Sequence, residues 1–183
     1  MSEIYKEAFE KTRLAGEIAA SALDEVAKIA RPGTTTAKID KLCYEYLNDN
    51  GAYSAPLYYR GFPKSCCTSS NHIVCHGIPS DKVLKDGDIV NVDVTALKDG
   101  WHGDTSRTFE IGEVSIKAKK LVKTTYNAMM KAIQIIKEGV HLGDIGATIQ
   151  NHVEAEGFSV VQDFCGHGIG KHFHKEPNVL HYG

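Results

Sequence analysis

The amino-acid sequence contains an internal repeat with a constant offset of 106 residues, which limits the folds open to it. Two glycines and an isoleucine recur at this offset: Gly33, Ile39 and Gly51 match Gly139, Ile145 and Gly157. In each half a helical pattern stops at the first glycine, a second helix stops at the second glycine, and a β-type run follows. The sequence therefore predicts a tandem duplication, with two pseudo-symmetric lobes and a cleft between them.

Four helices are predicted from apolar residues at helical spacing, two in each half. The two in the first half run from Glu7 to Ala30 and from a Thr34–Thr36 cap to Gly51. The third runs from about Ile116 to Lys137, and the fourth ends at Gly157. The segment 158–161, which follows the last helix, is predicted to be a strand.

A β-hairpin is predicted near residues 89 to 109. Asp93 and Asp104 lie on its two arms and project from the same face. They face each other directly if the turn is centred on Lys98-Asp99, and they are diagonal neighbours if the turn is Asp99-Gly100. Four other residues share this face: Asn91, Thr95, His102 and Ser106.

Two carboxylates so placed suit a pair of metal ions that one carboxylate bridges. The alternative is an amphipathic hairpin whose polar face is simply solvated. The Val and Ile content of 89–94 indicates a central strand, where a carboxylate needs a cation or a hydrogen-bond network. The metal-site hypothesis depends on that burial.

Three histidines are further candidates for a site. His167 lies among the glycines of Gly166–Gly170, His76 precedes Gly77, and His174 lies in a histidine-rich segment. Neutral imidazoles bind metals or donate hydrogen bonds to a polarised carbonyl. For each, the alternative is a surface, capping or turn histidine bonded to backbone. The G-x-S-x-G and HExxH motifs are absent.

Taken together, several segments resemble those of the bacterial-type (type I) methionine aminopeptidases. They are Arg60–Ser65, Asn71–Pro79, Asp86–Thr95, Gly103–Ser106 and Gly166–Gly170. Their order and spacing are preserved over essentially the whole chain. The resemblance implies an α+β pita-bread fold, with two pseudo-symmetric halves and a curved antiparallel sheet. It implies one catalytic domain over 1–183, with lobe 1 at about 1–112 and lobe 2 at about 113–183.

The resemblance also implies a function. The chain would be a metalloaminopeptidase that removes the initiator methionine from nascent proteins. Hydroxide activated between two divalent ions (Co, Mn, Fe or Zn) would attack the first peptide bond. The implied metal ligands are Asp93, Asp104 and His167, and Asp104 would bridge both ions. Positioning of the substrate and stabilisation of the tetrahedral intermediate would fall to His76 and His174. The implied methionine pocket consists of Tyr59, Phe62, Cys67 and Phe173, whose rings and thiol suit an unbranched thioether.

The family pattern continues past Gly183 and supplies two further glutamate ligands. The 106-residue offset also places the counterparts of Asp93 and Asp104 beyond Gly183. We therefore expect the chain to be incomplete at its C-terminus, with a truncated second half. Two alternatives follow: a truncated, inactive pita-bread binding module, or a proline-directed aminopeptidase or prolidase. The second is disfavoured because such enzymes typically carry an additional N-terminal domain.

The composition excludes several other classes. The chain has 21 Lys and Arg against 23 Asp and Glu, without a basic cluster, so nucleic-acid binding is not expected. No window is apolar enough for a membrane span, and the charged segment 1–13 is no signal peptide. Five cysteines, an odd number, indicate reduced thiols. We expect a cytoplasmic monomer whose partners are the N-terminal methionine of nascent polypeptides and the ribosome.

Overall fold

The computed structural model describes residues 3–183, which divide between two compact units. The first unit consists of the chain up to Val114 together with the later segment Ile169–Phe173. The second consists of Ser115–Gly168 and His174–Gly183. The lobe bounds predicted from the sequence, about 1–112 and 113–183, stay a prediction. Among the described residues, no helix is both long enough and apolar enough to cross a membrane.

Two helices and a four-stranded sheet form the first unit. The helices are α1 (Glu3–Ile29) and α2 (Thr36–Asp49), and the strands are β1 (Tyr53–Ser54), β2 (Cys67–Ser70), β3 (Ile89–Lys98) and β4 (Trp101–Glu110). A 3-10 helix spans Tyr59–Gly61. The predicted threonine cap is present, since the Thr35 hydroxyl accepts a 3.2 Å hydrogen bond from the Lys38 backbone N–H.

Strand β3 is the central strand of the sheet. It pairs antiparallel with β4 along its whole length and with β1 and β2 at different stretches. Val90, Val92 and Val94 are fully buried on its core face. The period of two then places the intervening polar residues on the opposite face, which is where the carboxylates lie.

The hairpin turn decides the register that the sequence left open. Lys98 pairs with Trp101, so the turn residues are Asp99 and Gly100, both with positive φ (50° and 81°). This is the type I′ geometry that two-residue hairpins favour. Asp93 and Asp104 are therefore diagonal neighbours.

Helix α1 packs against β3 and β4 over a core that also includes α2. Its buried side chains include Leu23 and Val26. The two elements approach closely at Gly103 of β4, where an added Cβ would lie 2.1 Å from the Gly16 backbone nitrogen. Only glycine fits at position 103 without displacing the backbone of α1.

The second unit contains the helices α3 (Ile116–Gln134) and α4 (Leu142–Ala155) and a two-stranded antiparallel sheet of β5 (Gly166–Gly168) and β6 (Lys175–Val179). Helix α4 begins and ends 106 residues after α2.

The hydrogen bonds at the two helix ends repeat at the same offset. The Gly51 N–H donates to Asn48 O at 2.9 Å, and the Gly157 N–H donates to Glu154 O at 2.9 Å. Gly33 and Gly139 also share a positive φ, 90° and 87°. The duplication predicted from glycine spacing is confirmed as a repeat of local structure within each unit.

Two predicted elements are wrong in detail. The segment 158–161 is not a strand. Its counterpart β1 is extended because it pairs with Ala96 and Leu97 of β3, whereas no described strand pairs with 159 and 160. Helix α3 ends at Gln134 rather than at Lys137, because the chain leaves the helical pattern in turns before Gly139.

Candidate metal and substrate site

The site in the first unit is built on the polar face of the β3–β4 hairpin. Asp93 faces Ser106 and Asp104 faces Thr95, so the two carboxylates project from one face as the alternation predicts. Asp93 is half-buried and Asp104 is exposed. The Thr95 hydroxyl, which is buried, donates a 2.8 Å hydrogen bond to Asp104 Oδ1, and this bond orients the second carboxylate.

The two carboxyl groups interact strongly. Burial, then the charge of Asp104, then a hydrogen bond between the two groups raise the pKa of Asp93 to about 7. Asp93 therefore keeps its proton up to near-neutral pH, since burial and a neighbouring like charge both disfavour its ionised form. A cation placed between them would relieve the same repulsion, so these residues fit a metal ion.

Two thiols lie beside this carboxylate pair. Cys67 of β2 pairs with Asp93. Burial, then the charges of Asp93 and Asp104, raise the pKa of Cys67 to about 12. The pKa of Cys75 is also raised, by burial and by the charge of Asp93. Both thiols therefore stay neutral at physiological pH and present sulfur surface rather than thiolate charge.

His76 is exposed and sits in a loop held against β2. Thr68 N–H donates a 2.8 Å hydrogen bond to Gly77 O, and Gly77 N–H donates to Ser69 Oγ at 3.1 Å. An added Cβ at Gly77 would lie 2.3 Å from Thr68 O, which explains the glycine. His76 itself has a left-handed φ of 55°. Gly77, the residue after His76, is thus bonded to β2, the strand that pairs with β3 at Asp93.

Three rings form an aromatic cluster in the same unit. Phe173 lies 5.0 Å from Tyr59 and 5.6 Å from His102 between ring centroids. Phe62 closes the turn beneath Tyr59: its carbonyl accepts from Tyr58 N–H at 2.7 Å, and its N–H donates to Tyr59 O at 3.0 Å. Of the four predicted pocket residues, Tyr59 and Phe62 therefore share one turn, and Phe173 contacts Tyr59.

His167 and His174 are neighbours in the second unit. Their ring centroids lie 4.3 Å apart at an interplanar angle of 43°. His167 Nδ1 donates a 3.0 Å hydrogen bond to Gly168 O, because a carbonyl can only accept. This is the backbone bond expected of a turn histidine. Gly168 allows close approach of β6, since a Cβ there would lie 2.3 Å from Glu176 O.

The predicted residues thus fall into two groups. Asp93, Asp104 and Cys67 are brought together in the first unit, and His167 and His174 in the second. Across residues 3–183, no group of three or more His, Cys, Asp or Glu side chains lies close enough to hold a metal ion. The assignment of the ligands stays a prediction. His102, which the sequence indicates only as a neighbour on the polar face, is buried, and its Nδ1 lies 2.8 Å from Gly170 O.

Comparison with known proteins identifies the family. Residues 10–183 match the model of metallopeptidase family M24. The methionine aminopeptidase of Rickettsia prowazekii is 53% identical over 175 residues, which are 96% of this chain and 68% of that protein.

Solved structures agree with this result. The crystal structure of methionine aminopeptidase from Rickettsia prowazekii superposes with a TM-score of 0.95 at 52% identity, covering 97% of this chain and 72% of that one. A prolidase from Pyrococcus furiosus, at 23% identity and a TM-score of 0.84, covers 97% of this chain and 51% of its own and shares the fold.

These matches confirm the α+β pita-bread fold and the resemblance to methionine aminopeptidases, and they make the chain a metallopeptidase that uses a metal cofactor. The chain spans about two thirds of the length of the methionine aminopeptidase it matches in Rickettsia prowazekii. It belongs to metallopeptidase family M24.

Proposed function

We propose that this protein is a methionine aminopeptidase that removes the initiator methionine from nascent polypeptides. The observation that carries the proposal is the Asp93 and Asp104 pair, a partly buried dicarboxylate whose members repel each other unless a proton or a cation lies between them. Within a metallopeptidase family, the cation is the functional occupant.

Asp93, Asp104 and His167 would hold two divalent ions, with Asp104 bridging them. Carboxylate and imidazole donors suit Co, Mn, Fe and Zn alike. When bound, the metal polarises the peptide carbonyl and supplies a nucleophile at neutral pH. The hydrogen bond from Thr95 leaves one oxygen of Asp104 engaged, and the carboxylate is thereby held in one orientation for its ligand role.

The methionine side chain would be bound by Tyr59, Phe62, Cys67 and Phe173. Aromatic rings make favourable contacts with a thioether, and an unbranched chain fills an irregular apolar pocket. Because the pKa of Cys67 is raised to about 12, its thiol adds no charge to such a pocket. Cys67 also lies beside Asp93, so the pocket would adjoin the carboxylates.

His76 and His174 would act on the substrate backbone. A neutral imidazole can donate a hydrogen bond to the carbonyl oxygen of the first peptide bond, and this bond strengthens as negative charge develops there. The rigid attachment of the His76 loop to β2 supports such a role, since a donor held in place costs little reorganisation.

The proposal extends to the setting of the enzyme. Its substrate would be the N-terminal methionine of nascent chains. The enzyme would act as a monomer in the cytoplasm, near the ribosome. The nearly balanced charge of the chain lacks the basic excess that direct binding of nucleic acid favours.

Hydrolysis of Met-Ala-Ser tests the proposal. We expect cleavage after methionine that a chelator abolishes and that Co²⁺ or Mn²⁺ restores. Asp104→Ala should be inactive even at saturating metal, whereas Asp99→Asn, in the adjacent turn, should keep full activity. Activity of Asp104→Ala equal to the wild type would refute the bridging role. Equal turnover of an Ala-Pro substrate would favour a proline-directed enzyme, and no turnover of either peptide would favour a binding module.

A further inference from the structure

His102 is a buried polar side chain that the proposed reaction does not use. It lies on β4 with 9% of its surface exposed, two residues before Asp104. A histidine is seldom buried without partners, because its ring nitrogens must be satisfied. Its partners lie in the segment Ile169–Phe173, which joins the first unit although most of its sequence neighbours belong to the second.

The backbone N–H and the ring Nδ1 of His102 bond to the same carbonyl oxygen. The backbone N–H donates to Gly170 O at 2.9 Å, and the ring Nδ1 lies 2.8 Å from the same oxygen. Since a carbonyl oxygen only accepts, Nδ1 must carry the proton. The imidazole is thus held in one orientation by its bond to this segment.

The ring of His102 also stacks on Phe173. The two rings are nearly parallel, with an interplanar angle of 10° and centroids 5.6 Å apart. The rings of Phe173 and Tyr59 are tilted, with centroids 5.0 Å apart. A continuous row of rings therefore runs from His102 through Phe173 to Tyr59. Offset stacked and tilted arrangements of this kind are attractive beyond the area they bury.

The residues on either side of His102 are closely packed. Gly103, the next residue, is pressed against α1 so closely that no Cβ fits. On the other side, Trp101 lies against Gly170, and Lys171 Nζ is 5.5 Å from the centre of its ring. The segment Ile169–Phe173 is therefore held from β4 by two consecutive side chains.

We infer that His102 is a positioning residue that sets the place of Phe173 and, through it, the wall of the methionine pocket that Phe173 shares with Tyr59. This inference rests on the proposed function for the identity of the ligand. It assigns methionine specificity partly to a side chain that does not itself touch the substrate.

Two substitutions separate the contributions of His102. His102→Phe keeps a ring to stack on Phe173 and removes the Nδ1 donor. His102→Asn keeps a donor near the position of Nδ1 and removes the ring, and His102→Ala removes both. His72→Asn, at an exposed loop histidine of the same unit, is the matched control. Trp101 is the single tryptophan of the chain, so its fluorescence reports whether Ile169–Phe173 is docked.

We expect each single-feature variant to weaken L-methionine binding about three- to tenfold, the size expected for one lost hydrogen bond or one lost ring pair. His102→Ala should weaken it more than either. Affinity is measured by titration calorimetry with saturating Mn²⁺, and KM and kcat are measured on Met-Ala-Ser. KM should rise while kcat changes less than twofold. Acrylamide should quench Trp101 more readily in His102→Ala than in the wild type or His72→Asn.

The outcomes separate the role of His102 from the proposed function. Variants that lose thermal stability but keep wild-type affinity and KM would overturn the positioning role. A wild type that binds methionine without hydrolysing Met-Ala-Ser, with weakened binding in the variants, would refute the proposed function and leave the role of His102 standing. A wild type that does not bind methionine at all would overturn both.

Discussion

Thr95 and Asp104 face each other across the β3–β4 hairpin, and the buried Thr95 hydroxyl donates a 2.8 Å hydrogen bond to the carboxylate of Asp104. In Thr95→Val this donor is lost with little change in shape. If Asp104 binds metal, we expect the metal affinity to fall about 10- to 100-fold, the usual cost of losing a partner of a ligand. Titration calorimetry with Mn²⁺ measures it. Thr95→Ser keeps the hydroxyl and should bind as the wild type does; equal affinity in Thr95→Val would show that the bond does not orient the ligand.

The Asp93 carboxyl should make the metal-free protein less stable as pH rises. Its pKa is raised from the ordinary value of 3.8 to about 7 in the folded state, so the folded state binds the proton more tightly than the unfolded state does. The stabilisation is present below pH 4 and is lost between about pH 4 and 7, at up to about 1.4 kcal/mol per pH unit.

Urea unfolding in the presence of a chelator, repeated from pH 4.5 to 7.5, measures this dependence. Asp93→Asn should flatten it, because the amide does not titrate, and Asp99→Asn should leave it unchanged. The same slope in Asp93→Asn as in the wild type would assign the pH dependence to other groups.

The contact between Gly103 and α1 predicts a severe effect of one methyl group. In Gly103→Ala the new Cβ would lie 2.1 Å from the Gly16 backbone nitrogen, and backbone cannot rotate away as a side chain can. We expect a loss of about 1–3 kcal/mol or more in the free energy of unfolding in urea. Gly16→Ala is the control, because its Cβ would enter open space within a helix and should stabilise by about 1 kcal/mol. A neutral Gly103→Ala would contradict the packing.

Asp40 should stabilise the segment that leads into β2. Its Oδ1 accepts hydrogen bonds from Ser65 N–H at 2.8 Å, Ser65 Oγ at 2.7 Å and Cys66 N–H at 3.2 Å, and both of those residues are buried. Asp40→Ala leaves the two backbone N–H donors unpaired, at about 1–3 kcal/mol each, so we expect an unfolding free energy lower by roughly 2 kcal/mol or more. The Ser65 hydroxyl keeps a partner in this variant, because it also donates to the Asp40 backbone carbonyl at 3.1 Å. Asp40→Asn keeps an acceptor oxygen and should lose much less. Similar losses in both variants would indicate that the charge matters rather than the acceptor.

Local patterns were enough to predict much of the fold. Helices α1 and α2 follow from apolar spacing and a threonine cap, and α4 follows α2 through the 106-residue offset. The strand at 158–161 was predicted wrongly from the same logic. A two-residue strand such as β1 exists only where a partner strand pairs with it, and no local pattern encodes a partner.

Residue spacing is enough to place Asp93 and Asp104 on one face of a hairpin, because side chains alternate with a period of two and both two-residue turns that the sequence offers keep these residues in phase. Tertiary packing makes them diagonal neighbours, since the register depends on which two residues adopt positive φ in the turn. It also decided that Asp93 is sufficiently desolvated for its pKa to rise to about 7, and that His102 bonds to Gly170, 68 residues later. Burial and long-range contacts depend on how all the elements pack, and spacing along the chain does not specify them.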